Sequence, residues 1–490
     1  MLENYPVIII GAGIAGSTLA LKLSELRPDL TILVLSKSAL SECSSFMAQG
    51  GIASEYKTSE SDIETHIEDT LKAGRYMNDE DTVRWWAHQT EHGIDQLLKW
   101  GVVFNSEMAL EGGHTTRRIF KVEDQTGKSI MNVLWDKMLE QKNITIIQNA
   151  SVVDIQKDSV QNIFHVDFVT DQLTQNRIRA KHVVFASGGL GRLIAPSTSS
   201  PIATAEVMGM AIQLGVQTNF LSCVQFHPTG LFLRNVKQTL LISEAVRGEG
   251  AKLVNSLGDY FMVRYDKRKD LAPRDIVSRA IFEEMKLTDS DCVYLDARNI
   301  SKEEWLYKFP YIYAQLVRYN LYPEKNLIPV YPVAHYMCGG IVTDTNGSTS
   351  IDGLYAVGEV SCTGIHGYNR LASNSLSEAV VFGLSLAQFL SEKDISFDNE
   401  YSSRVLSEKK SNERDNEITT EMNLISETLY AVFKDQKTKE EVEELISFYE
   451  HTFKLNQEKS TLHYSLIVVI RLLKDYHMRF TNNNIQIQHV

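Results

Sequence analysis

The chain has 490 residues, of which 43% are apolar and 23% charged, and a net charge of −13. The length implies two or three domains, the composition is that of a globular protein with a substantial core, and the acidic balance excludes a broad nucleic-acid footprint. An anionic substrate would need a local cluster of Arg and His set against that field.

Five scattered cysteines (Cys43, Cys223, Cys292, Cys338, Cys362) form no CxxC pair. This argues against a disulfide framework, a zinc site or an iron–sulfur cluster; reduced thiols in the cytoplasm and no metal are expected. The N-terminus lacks a basic segment and a small-residue cleavage site, so no signal peptide is expected. No apolar run approaches the roughly 18 residues of a membrane span. The strongest, Ser465 to Leu473, contains Arg471 and reads as a buried helix.

In chain order, Val7 to Ile10 is a β-branched run of the kind buried in a parallel sheet. Gly11-Ala-Gly-Ile-Ala-Gly16 follows at once, then a helix from Ser17 to Leu26 with Leu19, Leu23 and Leu26 on one face, then a strand from Thr31 to Leu35. A helix is expected from about Glu80 to Gly101 and another from Ser129 to Gln141. Strands are expected at Ile144 to Gln148, Val152 to Ile155, Phe164 to Val169, His182 to Ala186 and Ile351 to Val357. The resulting expectation is an α/β fold. A Rossmann-like domain (residues 1–219 and 339–395) carries an inserted α+β capping domain (220–338), and a helical C-terminal domain follows (396–490).

A lone GxGxxG is a weak signal, but here it sits between a strand and a helix, as a pyrophosphate site requires. Gly11 permits the turn, Gly13 lets the backbone approach the phosphates, and Gly16 lets helix and strand pack closely. The free N–H groups of the helix start then face the anion. The second strand ends in Ser36-Lys37 rather than the usual acidic residue, which speaks against a plain NAD site. Ser36 can bond a ribose hydroxyl and Lys37 can lie near the adenosine. The loop Ser44-Ser-Phe-Met-Ala-Gln-Gly-Gly51 is a candidate contact for a flat ring system.

These motifs, with Ser187-Gly-Gly-Leu-Gly191, Phe226-His-Pro-Thr229, Arg247-Gly-Glu-Gly250, Leu271-Ala-Pro-Arg-Asp275, Ala334-His-Tyr336 and His366-Gly-Tyr-Asn-Arg-Leu-Ala-Ser-Asn-Ser-Leu376, occur in one order from Val7 to about Gly383. In that order they resemble the succinate dehydrogenase/fumarate reductase flavoprotein superfamily and, within it, the L-aspartate oxidase family. The resemblance implies FAD held by Ala12, Gly13, Ile14, Ala15, Lys37, Ser44, Ser45, Phe46, Met47, Ala48, Gln49, Gly50, Gly51, Glu206, Glu359, Ser375 and Leu376. Glu206 stands where the family usually has Asp. Ser44 occupies the position at which membrane-complex relatives carry a flavin-linking His, so the FAD is expected to be non-covalent.

Oxidation of a dicarboxylate needs cations or strong donors for two carboxylates and a hydride donor aligned with the acceptor. Arg370 can grip one carboxylate bidentately. His335 and His227 lie in apolar surroundings as substrate ligands or bases, since imidazole titrates near neutrality. Ser243 and Glu244 open the segment that leads to Arg247, and Ser243 offers a hydroxyl donor. The resemblance gives Arg274 the proton-transfer role; a guanidinium more readily supplies positive charge beside the reacting carbon.

Glu111, in Leu110-Glu-Gly-Gly-His-Thr-Thr-Arg-Arg118, is characteristic of the aspartate oxidases and would attract the substrate ammonium. The implied reaction is oxidation of L-aspartate to iminoaspartate. Reoxidation would be by O2, giving H2O2, or by fumarate, giving succinate. The resemblance also implies a place in NAD biosynthesis with the product passed to quinolinate synthase, and no nucleic-acid or membrane partner. A soluble fumarate reductase and a flavin-containing RNA-binding module are the competing readings. Tyr368, where the family usually has a small residue, either narrows the site or packs outward.

Overall fold

Asn4–Ile10 lies inside a seven-stranded sheet because its apolar run is covered on both faces. The computed structural model describes residues 4–171, 175–234, 239–395, 414–435, 437–455 and 460–481. The sheet runs Ile144–Ile147, Ile32–Leu35, Asn4–Ile10, Gln175–Phe185, Ile163–Val169, Ser151–Asp158, and Leu354–Ala356 pairs with Gln175–Phe185 in addition. Pairing is parallel on the nucleotide side and antiparallel among the last three strands of that order.

Gln175–Phe185 is longer than the apolar run at its end foretold. Its first residues, Gln175 to Ile178, pair only with the antiparallel Ile163–Val169, and Arg177, Arg179 and Lys181 alternate with the apolar Ile178 and Ala180. Half-buried strands alternate, so no continuous apolar signal marks them. The helix Ile14–Leu26 starts three residues earlier than expected, with Gly13 as its N-cap. Glu80–Trp100 ends at Gly101 in the left-handed region, as its glycine suggests.

A second, antiparallel sheet has the order Val224–Leu231, Ile328–Met337, Val293–Asp296, Lys252–Val254 and its own apolar core. The chain crosses to it after Thr218–Asn219 and returns through Gly340–Val342. These two strands pair with each other, and Gly340–Val342 also pairs with Ser361–Cys362.

Near the C-terminus three helices, Arg414–Asp435, Lys439–Leu455 and Thr461–Thr481, pack on the antiparallel flank of the large sheet. The buried helix expected over Ser465 to Leu473 is longer, and Arg471 points to solvent while Leu466, Val469 and Leu473 are buried. Among the described residues no helix is long and apolar enough to cross a membrane.

Candidate active site

A cavity of about 500 Å³ runs along the carboxyl ends of the parallel strands into the face of the second sheet. Gly11 opens it with φ +112°; a Cβ there would lie 2.2 Å from the Ala186 carbonyl oxygen. At Gly51 a Cβ would meet the Ile119 side chain at 2.3 Å, so this loop also packs too closely for a larger residue. Of the residues expected to hold the cofactor, only Gly16 and Phe46 do not line the cavity. Gly16 lies within the helix, and Phe46 packs against the core beneath.

Ser36 donates its hydroxyl to the Ser38 carbonyl at 2.7 Å, which leaves its oxygen able to accept from a ribose hydroxyl. Lys37 pairs with Glu206 and donates to the Thr204 hydroxyl at 2.7 Å; Thr204 also donates to Glu206. Lys37 and Glu206 thus satisfy one another at the edge of the cavity. Glu359 accepts from the Met337 N–H at 3.0 Å, and burial pushes its carboxyl up to about 7. A carboxyl titrating there can donate or accept, which suits a polyol hydroxyl. Gln49 contributes a buried Oε1 with no partner among the described residues. The glycine turns, this orphaned oxygen and the polar lining fit an FAD, which Gly11 to Ala15, Ser36, Lys37, Ser44, Ser45, Met47 to Gly51, Glu206, Glu359, Ser375 and Leu376 would hold. Ser44 accepts from the Ser200 N–H at 3.0 Å, and its hydroxyl cannot form a histidyl–flavin bond.

The second sheet brings the imidazoles together through two irregularities. Gln225 pairs with Tyr336 and Phe226 with Ala334, which leaves His335 as an extra residue. His227 pairs with Val333 and Gly230 with Tyr331, so Pro228 and Thr229 face Pro332 alone. Bulges of this kind re-aim side chains and gather at active sites. The two rings lie 5.3 Å apart. The Thr198 hydroxyl and His335 Nδ1 are 2.7 Å apart, and the Thr229 N–H donates to His227 Nδ1 at 3.2 Å.

Burial holds both imidazoles well below their ordinary range, and the neighbouring Arg274 lowers them further. This lowering applies to both rings alike, so what separates them as bases is the tautomer, which speaks against His227. An Nδ1 that accepts from a backbone amide leaves the ring proton on Nε2, which is buried and has no partner among the described residues. His335 keeps both tautomers, because its partner hydroxyl can donate or accept.

Two guanidiniums meet at one amide. Gln225 Oε1 accepts from Arg370 at 3.1 Å and from Arg274 at 3.3 Å, while Gln225 Nε2 donates to Asn369 Oδ1 at 2.6 Å and to the Arg370 carbonyl at 2.7 Å. Arg370 also donates to the Ser375 hydroxyl at 2.9 Å and lies 4.4 Å over the Tyr336 ring, and its buried Nε has no partner among the described residues. Arg274 begins the helix Arg274–Leu287 and donates to Glu244 at 2.8 Å. Burial works to raise the Glu244 carboxyl, but Arg274 and Arg247 outweigh it and hold it below its ordinary range. The Ser243 hydroxyl accepts from the Ala245 N–H at 3.3 Å and so keeps its own proton to donate.

Glu111 is no surface residue: its side chain is 6% exposed and lies 3.3 Å from the Lys121 ammonium. It accepts from the Ser373 hydroxyl at 2.5 Å. Burial acts upward on its carboxyl, yet Lys121 and Ser373 bring it down to about 2. Tyr368 is buried outside the cavity lining, against Phe220 and Arg479, so it packs outward.

The sequence reading missed Gln225, Thr198, Lys121 and Ser373. Gln225 was within reach, since strand alternation puts it on the face of His227 two residues later. Thr198 and Lys121 meet the site through long-range packing that leaves no local signal.

The FAD binding domain family model matches residues 6–376. The chain is 44% identical over 401 residues to the L-aspartate oxidase of Neisseria meningitidis, which spans 80% of this chain and 79% of that protein. It is 41% identical over 385 residues to the L-aspartate oxidase of Clostridium perfringens, across 77% and 84% of the two chains. Among solved structures it is similar to the quinol fumarate reductase of E. coli, with a TM-score of 0.81 and 28% identity over 97% of this chain and 89% of that one.

Proposed function

The chain belongs to the L-aspartate oxidase family of FAD-dependent oxidoreductases, and from that membership we propose that it oxidises L-aspartate to iminoaspartate. The observation that carries this reading is the pair of guanidiniums bridged by Gln225 in the same cavity as Glu111, a carboxylate held ionised. The cations match two carboxylates, and the anion matches an ammonium that a succinate lacks.

Bound FAD supplies the hydride acceptor, its N5, for the hydrogen on Cα. Arg370, through its buried Nε, and His227, through Nε2–H, bind carboxylate oxygens. Arg274 and the Ser243 hydroxyl hold the other carboxylate, and Arg274 adds positive charge beside the reacting carbon. Glu111 attracts the ammonium and does not take its proton, because a carboxyl titrating near 2 is a poor base at neutral pH. The amine must be neutral before hydride leaves. His335 is the base the geometry favours, with Thr198 Oγ1 rotating to serve either tautomer. Transfer through Arg274 to Glu244, 2.8 Å away, is the family-based alternative.

Reoxidation by O2 yields H2O2 and by fumarate yields succinate; iminoaspartate then passes to quinolinate synthase, which makes this the first step of NAD biosynthesis. A soluble fumarate reductase would share the two-arginine cradle, and the E. coli structural relative favours that as the second reading. Glu111 separates the two. The test is the visible flavin absorbance of the purified protein without air. Bleaching on addition of L-aspartate, and turnover of aspartate above that of succinate, supports the proposal; a colourless protein, or one bleached by succinate and not by aspartate, overturns it.

A further inference from the structure

The helix Thr461–Thr481 lies beyond residue 376, where the family match ends, yet two of its side chains reach the segments that carry the arginine cradle. Asp475 Oδ2 accepts from the Ser222 N–H at 3.0 Å and from the Ser222 hydroxyl at 2.6 Å. Arg479 donates to both oxygens of Asp475, at 3.0 and 3.3 Å. Its guanidinium carbon lies 4.9 Å from the Phe220 ring and 4.9 Å from the Tyr368 ring, and those rings meet edge to face at 5.3 Å.

The residues touched are informative. Phe220 and Ser222 form the crossing from the large sheet into the second sheet, directly before Gln225. Tyr368 stands two residues before Arg370. Phe220 has φ +54°, a conformation that a bulky residue keeps only when its surroundings over-determine it. Directly behind the cavity wall Gln225 joins the same two segments, through Asn369 and the Arg370 carbonyl. The crossing and the Arg370 loop are therefore fastened twice, by Gln225 at the site and by Arg479 behind it.

We propose that Arg479, held by Asp475, is a positioning residue for the dicarboxylate site. It keeps the crossing and the Arg370 loop in register, so that Gln225 spans Arg274 and Arg370. This rests on the reading that the cavity binds a dicarboxylate. The helix itself docks through Leu466, Val469, Leu472 and Leu473, all buried, so loss of one guanidinium leaves it in place. A shift of the arginines by about 1 Å is enough to cost up to about a hundredfold in turnover.

The experiment titrates FAD-loaded protein with succinate, read by perturbation of flavin absorbance, and measures kcat and KM for L-aspartate. Arg479→Leu weakens succinate binding and raises the aspartate KM by about tenfold or more, with FAD content and thermal midpoint near those of the parent. Arg479→Lys, which keeps a cation between the rings, restores most of the loss. Tyr368→Leu, which leaves the last helix untouched, reproduces the defect, and the double variant is no worse than either single one. Tyr368→Leu also decides the matter if Arg479→Leu does not fold. Parent-like succinate affinity in a folded variant overturns the inference, as does a defect that Arg479→Lys fails to relieve. A parent protein that binds FAD but no dicarboxylate overturns the functional reading, and this inference with it.

Discussion

The Thr229 amide donates to Nδ1 of His227 across 3.2 Å, and this one hydrogen bond fixes which side of the imidazole carries the proton. His227 then faces substrate as a neutral donor. His227→Ala is expected to raise KM for aspartate by about ten- to a hundredfold, the worth of a hydrogen bond to a charged group. The pH dependence of kcat should be unchanged. Steady-state kinetics across pH 5 to 9 checks this; a profile that changes with His227 would show that the ring takes the proton after all.

Arg274 joins Glu244 and Gln225 and is the cation through which the second sheet faces the reacting carbon. Arg274→Ala is expected to lower turnover by about a thousandfold or more while FAD stays bound, because a preorganised donor at developing charge is lost. Flavin absorbance measures occupancy and stopped-flow reduction by aspartate measures the chemistry. Near-normal reduction would remove Arg274 from the mechanism.

Glu111→Gln keeps the hydrogen bond from Ser373 and discards the charge. Aspartate oxidation should fall far more than fumarate reduction, and equal losses would mean that Glu111 does not read the amine. The sign of the pH effect follows from a folded value of about 2 against an ordinary 4.5. The carboxylate's stabilising contribution is complete above the ordinary value and is lost only as pH falls toward 2. Between pH 6 and 9, therefore, the parent-to-variant ratio of kcat/KM should show no inflection from Glu111.

Glu359 shifts the opposite way, to about 7. The folded protein binds its proton more tightly than the unfolded chain, so ionisation destabilises the fold without cofactor progressively from about pH 4.5 to 7, by about 3 kcal/mol in all. Glu359→Gln should remove that decline. Urea midpoints of FAD-stripped protein at pH 5 and pH 8 test it: the parent should lose more stability than the variant on going to pH 8. Identical slopes would place the burial cost elsewhere.

The strand–glycine–helix opening, the family and most residues that line the cavity were legible in the sequence, because each is a local pattern. A buried parallel strand is a continuous apolar run, a phosphate turn demands glycine at set positions, and a left-handed helix end calls for Gly101. Long-range packing decided the rest. The protonation of His227 depends on a bulge in a strand paired with residues more than a hundred positions away, and the charge on Glu111 depends on a lysine and a serine from two other segments. The outward turn of Tyr368 depends on a helix near the far end of the chain. Burial and neighbouring charge set these properties, and neither belongs to a residue until the chain has brought distant segments together.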